Sequence, residues 1–168
     1  MSVPRNLSYL LCGLAEEWTE VQDANKNRDS ALKRECIVKE LGDVMWYMAA
    51  ICRELNTSIG AVAEGSGDSS PFTGELATQD PTESLLVGYQ YIGNIAGSVK
   101  KAIRDDNNTI SQNRKHVILF NITGLLLTVN RAMCRHVGTT MSEVMHVNIQ
   151  KIQSRLARGV IKGEGDNR

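Results

Sequence analysis

The sequence predicts an all-α fold, a helical bundle of about five helices in which two degenerate repeats pack as a pseudo-dimer. Three observations lead to this class. Proline occurs only at positions 4, 71 and 81, so long segments lack the residue that most strongly breaks helices. Apolar residues recur at helical spacing through most of the remaining chain. The third observation is that the two halves of the chain resemble each other.

The ends of the expected helices follow from local signals. Ser30 has the residue type of an N-cap and is expected to begin the second helix. Residues 64–82, EGSGDSSPFTGELATQDPT, are rich in Gly, Ser, Thr and Pro and predict a linker. The polar, Gly-rich stretch from Arg158 onward predicts a loop or tail. The five helices are expected at about residues 6–25, 30–56, 82–104, 111–137 and 142–158.

The internal repeat is visible as a gapless alignment. GDVMWYMAAICRELNTSIGAV (42–62) aligns with GLLLTVNRAMCRHVGTTMSEV (124–144), sharing Gly, Ala, Cys, Arg, Thr and Val along it. We therefore expect the chain to be one domain, with repeat one at 5–63, the linker after it and repeat two at 83–168. The first repeat is expected to carry an acidic metal site and the second to carry basic phosphate-binding elements.

Only the first repeat kept its acidic residues. In the gapless register Glu40 corresponds to Ile122 and Asp43 to Leu125, and the acidic triplet of the first helix corresponds to apolar or small residues around 91–96. The charge follows the same division. The first 84 residues hold 14 acidic and 7 basic side chains, and the second 84 hold 5 and 12. This asymmetry fits either two halves held together by charge or a cation site facing a phosphate site.

The composition excludes several classes of protein. The formal net charge is zero, which argues against a nucleic-acid partner. The four cysteines are scattered without a CxxC pair, as in a reduced cytoplasmic protein and unlike a disulfide or zinc framework. We expect no membrane association, since no unbroken apolar run reaches transmembrane length and the N-terminal residues do not resemble a signal peptide.

Five carboxylates lie beside apolar residues of the first two helices. At about 100° per residue, Glu16, Glu17 and Glu20 occupy neighbouring directions that border an apolar arc. Glu40 lies inside the apolar stripe of the second helix, with Asp43 at its edge. Their i,i+3 pairs can converge on one point, where carboxylate oxygens suit Mg²⁺, with Mn²⁺ as the alternative. The competing interpretation is a solvated acidic face paired with Lys or Arg.

These acids belong to longer motifs. EExxE at 16–20 is followed by ExxD at 40–43 within ELGDVMWY, by VKKAIRDD at 99–106 and by NIQKIQSRLARGVIKGEGDNR at 148–168. Together they resemble the MazG-like nucleoside triphosphate pyrophosphohydrolases of the all-α NTP pyrophosphatase superfamily. A typical relative carries all the elements in one short chain and pairs with a second copy. The separation seen here predicts two degenerate MazG-like repeats in one chain that together build one site.

The resemblance implies Mg²⁺-dependent hydrolysis of a nucleoside triphosphate, expected to be a dNTP, to the monophosphate and pyrophosphate. It assigns Glu17, Glu20, Glu40 and Asp43 as metal ligands, and Glu16 is the candidate general base for the attacking water. The implied role is house-cleaning or balancing of the nucleotide pool in the cytoplasm of a bacterium or during phage infection. A homodimer, as in many relatives, is a further expectation.

Cations are expected to neutralise the charge that builds on the phosphates during hydrolysis. Lys151 and Arg155 are four residues apart and share one face of the fifth helix. The complete set of candidate substrate-binding residues is Lys100, Lys101, Arg104, Lys151, Arg155, Lys162 and Arg168.

Several other polar and aromatic residues have either a structural or a functional interpretation. Trp46 and Tyr47 follow the ExxD motif and either could stack on a base, although a core position is favoured for Trp46. Asn148 could contact the ribose or the base, but it is expected on the surface. Glu143 and His146 form an ExxH motif, but di-iron bundles use two such motifs and this chain has one, so His146 is interpreted as structural. The alternative functions are a non-catalytic nucleotide sensor and a di-iron carboxylate oxidoreductase.

Overall fold

The computed structural model describes residues 1–65 and 80–160. They form a helical bundle, which confirms the all-α class, and apart from an isolated bridge between Ser2 and Thr109 the described ranges contain no β-structure. The helices are α1 (Leu7–Asn25), α2 (Ser30–Glu54), α3 (Ile59–Gly65), α4 (Pro81–Asp105), α5 (Gln112–Leu127), a π-helix (Thr128–Cys134), α6 (Arg135–Val137) and α7 (Met141–Ala157).

Helices α2 and α4, which have 25 residues each, begin at aspartate caps. Asp29 caps α2, since its Oδ1 accepts hydrogen bonds from the backbone N–H groups of Ala31 and Leu32 at 2.9 and 3.0 Å. The prediction that Ser30 is the N-cap was therefore wrong by one residue. The carboxylate at position 29 has an advantage over a hydroxyl because its charge also meets the positive end of the helix dipole. Asp80 caps α4 in the same way.

Two local features differ from the expected elements. The short helix α3 was not predicted, and its last two residues fall inside the predicted linker, most of which lies outside the described residues. The single helix predicted over 111–137 is a continuous helical run whose middle section is π-helical. By length and composition the segment 112–137 could cross a membrane, but 65% of its most apolar window is buried inside the bundle.

The core lies where α1, α2, α4 and α5 meet. Trp18, fully buried on α1, contacts α4 and donates a hydrogen bond from Nε1 to the backbone oxygen of Leu85 at 3.0 Å. A buried indole N–H needs such a partner because leaving it unsatisfied is costly. This bond fixes the first helix of one half against the first long helix of the other half.

The two halves end their long helices with the same turn. The Thr57 N–H donates to the Cys52 oxygen at 3.0 Å, and the Thr139 N–H donates to the Cys134 oxygen at 2.9 Å. These four positions coincide in the gapless alignment of the two segments. Both cysteines are buried, so each turn is anchored to the core by a side chain of the same type.

Residues within and just after these turns also match. Asn56 and Gly138 both adopt the left-handed conformation, with φ of 55° and 67°, a region that Gly and Asn tolerate best. Ser58 and Thr140 then cap the next helices, each accepting a backbone N–H at 3.1 Å. Helix α7 packs on α2, and α3 packs on α5. Each half therefore places its last helix on the long helix of the other half.

Candidate functional site

Three carboxylates from two helices converge at the surface of the bundle. Glu17 and Glu20 are one turn apart on α1, and Glu40 projects from the neighbouring α2. One oxygen of each lies within 4.8 Å of the others, close enough to bind a single ion. Glu17 and Glu40 are half-buried and Glu20 is exposed, so the group is open to solvent on one side. These are three of the four predicted metal ligands.

Asp43, the fourth predicted ligand, is held by helix α7. Its Oδ1 accepts a hydrogen bond from Asn148 Nδ2 at 2.7 Å, and its Oδ2 is ion-paired with the Lys151 ammonium. Both charged side chains are largely buried, with 22% of Asp43 and 11% of Lys151 exposed. Asp43 is one turn beyond Glu40 on the same face of α2. The second half of the chain thus fixes an acid of the first half.

The acids depend on one another electrostatically. Burial, together with the nearby charges of Asp43, Glu20 and Glu40, raises the pKa of Glu17 to about 8, while Lys151 opposes the shift. A carboxyl group with this pKa holds a proton at neutral pH unless a cation is present. The ionised forms of these acids therefore repel one another, and a bound cation would relieve that repulsion, as at the carboxylate sites of hard cations.

A glycine lets α7 approach α2 closely enough for this arrangement. A Cβ at Gly42 would lie 2.8 Å from the Cβ of Asn148, closer than two carbon atoms can pack. The absent side chain lets the Asn148 amide reach Asp43, the next residue along α2. Asn148, only 5% exposed, is a buried polar residue, and the expectation that it lies on the surface was wrong.

A cavity of about 310 Å³ lies beside the carboxylates, between α1, α2 and α7. Glu17 and Asp43 form its acidic end, and Arg155 contributes a cation from α7. Its complete lining is Tyr9, Glu17, Asp43, Trp46, Tyr47, Ile152, Arg155 and Leu156. A single open cavity therefore borders the carboxylate cluster, a basic residue and several ring faces, the combination that small-molecule sites use.

Trp46 lies at this cavity and outside the core, so its predicted core position was wrong. Its side chain is 44% exposed, and its ring meets Tyr47 edge-on with 4.9 Å between the ring centroids. The helical period of α2 placed Trp46 next to an apolar stripe, but no described helix covers that side of α2. The cavity is also lined by Tyr9, Ile152 and Leu156, which were not among the predicted site residues. The i,i+4 spacing of Ile152 and Leu156 beside Arg155 was the available signal.

Glu16, the candidate base, is exposed on α1 beside Tyr47. Burial of the Tyr47 hydroxyl raises its pKa above the usual range, and a hydrogen bond with Tyr9 and the charges of Glu17 and Glu16 raise it further. Glu16 is thus near the rim of the cavity but outside the group of three carboxylates. Tyr47 is expected to stay neutral and able to act as a hydrogen-bond donor.

The predicted basic residues fall in different places. Lys151 and Arg155 lie at the site. Lys100 and Arg104 line another cavity, between α1 and α4, and Lys101 lines a third near the α4–α5 connection. The structure does not bring these three α4 side chains to the carboxylate cavity. Lys162 and Arg168, the last two candidates, lie outside the described residues.

The ExxH residues are engaged elsewhere. Glu143 accepts hydrogen bonds from Arg34 Nη2 at 2.8 Å and Thr139 Oγ1 at 2.6 Å, which lower its pKa. His146 is exposed, with its Nε2 2.9 Å from the Gln150 amide nitrogen. Across residues 1–65 and 80–160, the grouped carboxylate, His and Cys atoms suited to an ion belong to the α1–α2 cluster alone.

A comparison with known proteins gives the chain a relative. It is 36% identical over 116 residues to the "Gene 37 protein" of Mycobacterium phage L5, an alignment that covers 68% of this chain and 95% of the phage protein. No protein-family model matches the chain, and no solved structure matches it. Identity at this level over nearly the whole relative shows common descent and the same fold. The chain belongs to the family of the mycobacteriophage L5 Gene 37 protein.

Proposed function

We propose that this protein is a Mg²⁺-dependent nucleoside triphosphate pyrophosphohydrolase of the MazG-like type, with deoxynucleoside triphosphates as its expected substrates. The observation that carries the proposal is the convergence of Glu17, Glu20 and Glu40 within 4.8 Å, next to Asp43 and an open cavity. A triphosphate carries several negative charges, so carboxylates can meet it only through a divalent cation. The EExxE and ExxD motifs supply these four residues in the pattern that the resemblance requires.

The four acids divide into two roles in this proposal. Glu17, Glu20 and Glu40 hold the cation directly, and Asp43 stands at the edge of the cluster, where it can join the ligands from a fixed position. When bound, Mg²⁺ neutralises phosphate charge, polarises the phosphoryl oxygens and lowers the pKa of a bound water. The raised pKa of Glu17 supports this assignment, because a bound cation would offset the cost of ionising Glu17 beside three other acids.

Hydrolysis between the α and β phosphates needs water activation and charge compensation. Water adds to phosphorus, the bridging bond to pyrophosphate breaks, and the water proton passes to a base, for which Glu16 is the candidate. Glu16 is exposed next to Glu17, so water reaches it freely. Arg155 lines the α7 side of the same cavity, and Lys151 pairs with Asp43 at its acidic end. Both are suited to balance the charge on the departing pyrophosphate.

The test is pyrophosphate release from a panel of four dNTPs and four NTPs, first with Mg²⁺ and then with EDTA. We expect release with Mg²⁺ only, and a loss of at least about a hundred-fold in Glu20→Ala and Asp43→Ala. Glu64→Gln is the matched control, since Glu64 is an exposed acid on α3. Unchanged rates in the two site variants would overturn the assignment. Nucleotide binding without any release of pyrophosphate would instead favour the sensor function.

A further inference from the structure

The cavity beside the carboxylates has two chemically different ends. Glu17 and Asp43 form the acidic end, where the ion is proposed to bind. Tyr9 lies eight residues before Glu17 on α1, about 12 Å along the helix axis, and Trp46 lies about one turn beyond Asp43 on α2. The walls therefore change from carboxylates to rings over roughly the length of a nucleotide, from its phosphates to its base.

The rings at the far end are held in place by the backbone. Tyr47 packs directly on α1, where a Cβ at Gly13 would lie 2.3 Å from its ring carbons. Tyr47 in turn contacts Trp46 and Tyr9 edge-on, with 4.9 and 6.5 Å between ring centroids. Trp46 and Tyr9 keep 44% and 65% of their surface exposed. A half-buried ring thus supports two exposed rings whose faces are available to a planar ligand.

The remaining walls of this end are aliphatic. Ile152 and Leu156, both exposed on α7, face the rings across the cavity. A volume of about 310 Å³ is at the small end of the roughly 300–1,000 Å³ that ligand pockets span, which fits a nucleoside better than a helix or peptide. This end of the cavity is continuous with the carboxylate cluster, where the phosphates are proposed to meet the cation. One nucleotide can therefore occupy both ends.

We propose that this aromatic end, formed by Tyr9, Trp46, Tyr47, Ile152 and Leu156, stacks the base of the bound nucleotide and accepts purines and pyrimidines alike. The inference rests on the proposed function for the identity of its ligand. Stacking on a ring tolerates every base, because each base presents a flat π-face. Strong selection between bases requires polar groups that match the edge of one base.

The carboxylates of the cavity both lie at its acidic end. Asp43 accepts hydrogen bonds from Asn148 and Lys151, and Glu17 belongs to the carboxylate cluster. At the aromatic end the polar groups are the Tyr9 and Tyr47 hydroxyls and the Trp46 indole N–H, and the Arg155 guanidinium is assigned to the phosphates. Among the described residues that line this end, none carries an amide or carboxylate group, whose paired atoms match the edge of one base. The geometry therefore provides affinity for a base without an edge-matching set of donors and acceptors.

The first experiment measures kcat and KM for dATP, dGTP, dCTP and dTTP with Mg²⁺. We expect KM values within about ten-fold of one another. Trp46→Ala is expected to raise all four by about ten-fold or more while leaving kcat within about two-fold, and Trp46→Phe is expected to restore KM. Phe120→Ala is the matched control, because Phe120 is an exposed ring on α5 that is not part of the cavity. A preference above about a hundred-fold for one base, or an unchanged KM in Trp46→Ala, would overturn the inference.

The second experiment does not depend on hydrolysis or on a metal. Deoxyadenosine and deoxycytidine, which carry no phosphate, are titrated in EDTA while tryptophan fluorescence is recorded. The chain has two tryptophans, and Trp18 is fully buried, so quenching by a stacked base reports on Trp46 and should disappear in Trp46→Phe. Quenching without any hydrolysis would retain the base site and reject the proposed enzyme. Hydrolysis without quenching would reject the base site and retain the enzyme.

Discussion

Asn148 Nδ2 lies 2.7 Å from Asp43 Oδ1, a hydrogen bond that joins the last helix of the chain to the acidic face of the second. The two residues are 105 positions apart in sequence. Because Asn148 is buried and Asp43 is also bound by Lys151, the orientation of this carboxylate is set by α7. The second half of the chain therefore contributes to the site by positioning an acid as well as by supplying cations.

Asn148→Ala should test this positioning role. Removing a donor to a charged group is expected to lower stability by about 1.5–3 kcal/mol, because the Asp43 oxygen loses its partner in a partly buried place. We also expect kcat to fall about 10- to 100-fold, as for other residues that orient a metal ligand. Urea unfolding and pyrophosphate release measure the two effects. Gln153→Ala, an exposed residue of the same helix, is the control, and equal activity in both variants would contradict the positioning role.

The pH dependence of stability should reveal the raised pKa of Glu17. In the folded protein the Glu17 carboxyl, with a pKa of about 8, keeps its proton up to about pH 8, whereas in the unfolded chain it loses the proton near its ordinary pKa of 4.5. Between these values the folded state binds more protons, so without metal its stability must fall as the pH rises. We expect the midpoint of thermal unfolding in EDTA to decrease steadily from about pH 5 to pH 8. Glu17→Gln should flatten this slope, and Glu64→Gln should not.

The stabilisation produced by Mg²⁺ should increase with pH, whereas the stability of the metal-free protein decreases. Below pH 8 the cation must displace the Glu17 proton, so the increase in Tm on adding Mg²⁺ should grow with pH and level off above it. The same titration with Glu17→Gln should give a smaller shift that varies little with pH. A shift of constant size in the unmodified protein would show that Glu17 is not a ligand of the ion.

Much of the fold was predictable because local signals agree with it. Long segments without proline, apolar spacing at the helical period and the repeat of 42–62 at 124–144 all favour helices close to those of the structure. Helix α3 and the π-helix were not predictable in this way. The first is too short for a periodic signal, and the second has the same apolar spacing as the α-helix around it.

The site was predictable only as far as a single pair of helices determines it. The convergence of Glu17, Glu20 and Glu40 follows from helical spacing on α1 and α2. The contacts of Asp43 depend on where α7 crosses α2, which no local pattern specifies. The exposure of Trp46 has the same origin, because a residue beside an apolar stripe is buried only if another helix covers it.

Two glycine substitutions separate close packing from helix propensity. Gly42→Ala places a Cβ 2.8 Å from the Cβ of Asn148, so α7 must shift, and we expect stability to fall by about 1–3 kcal/mol together with kcat. Gly93, on α4, has nothing within 4 Å of the corresponding position, and Gly93→Ala should raise stability by about 0.5–1 kcal/mol without affecting the rate. Chemical denaturation and steady-state kinetics test both. If both substitutions changed stability in the same direction, close packing at Gly42 would not be the cause of its effect.

The chain is expected to bind one nucleotide, although it contains two repeats. At the positions that correspond to Glu40 and Asp43, Ile122 and Leu125 are fully buried, so the second repeat has packing where the first has ligands. Calorimetric titration with a non-hydrolysable dNTP and Mg²⁺ should give one equivalent per chain. Glu20→Ala, which removes a proposed ligand, should abolish measurable binding, because no second site would remain to be filled. Two equivalents in the unmodified protein would mean that nucleotide binds without the acidic cluster, and the division of roles between the halves would be wrong.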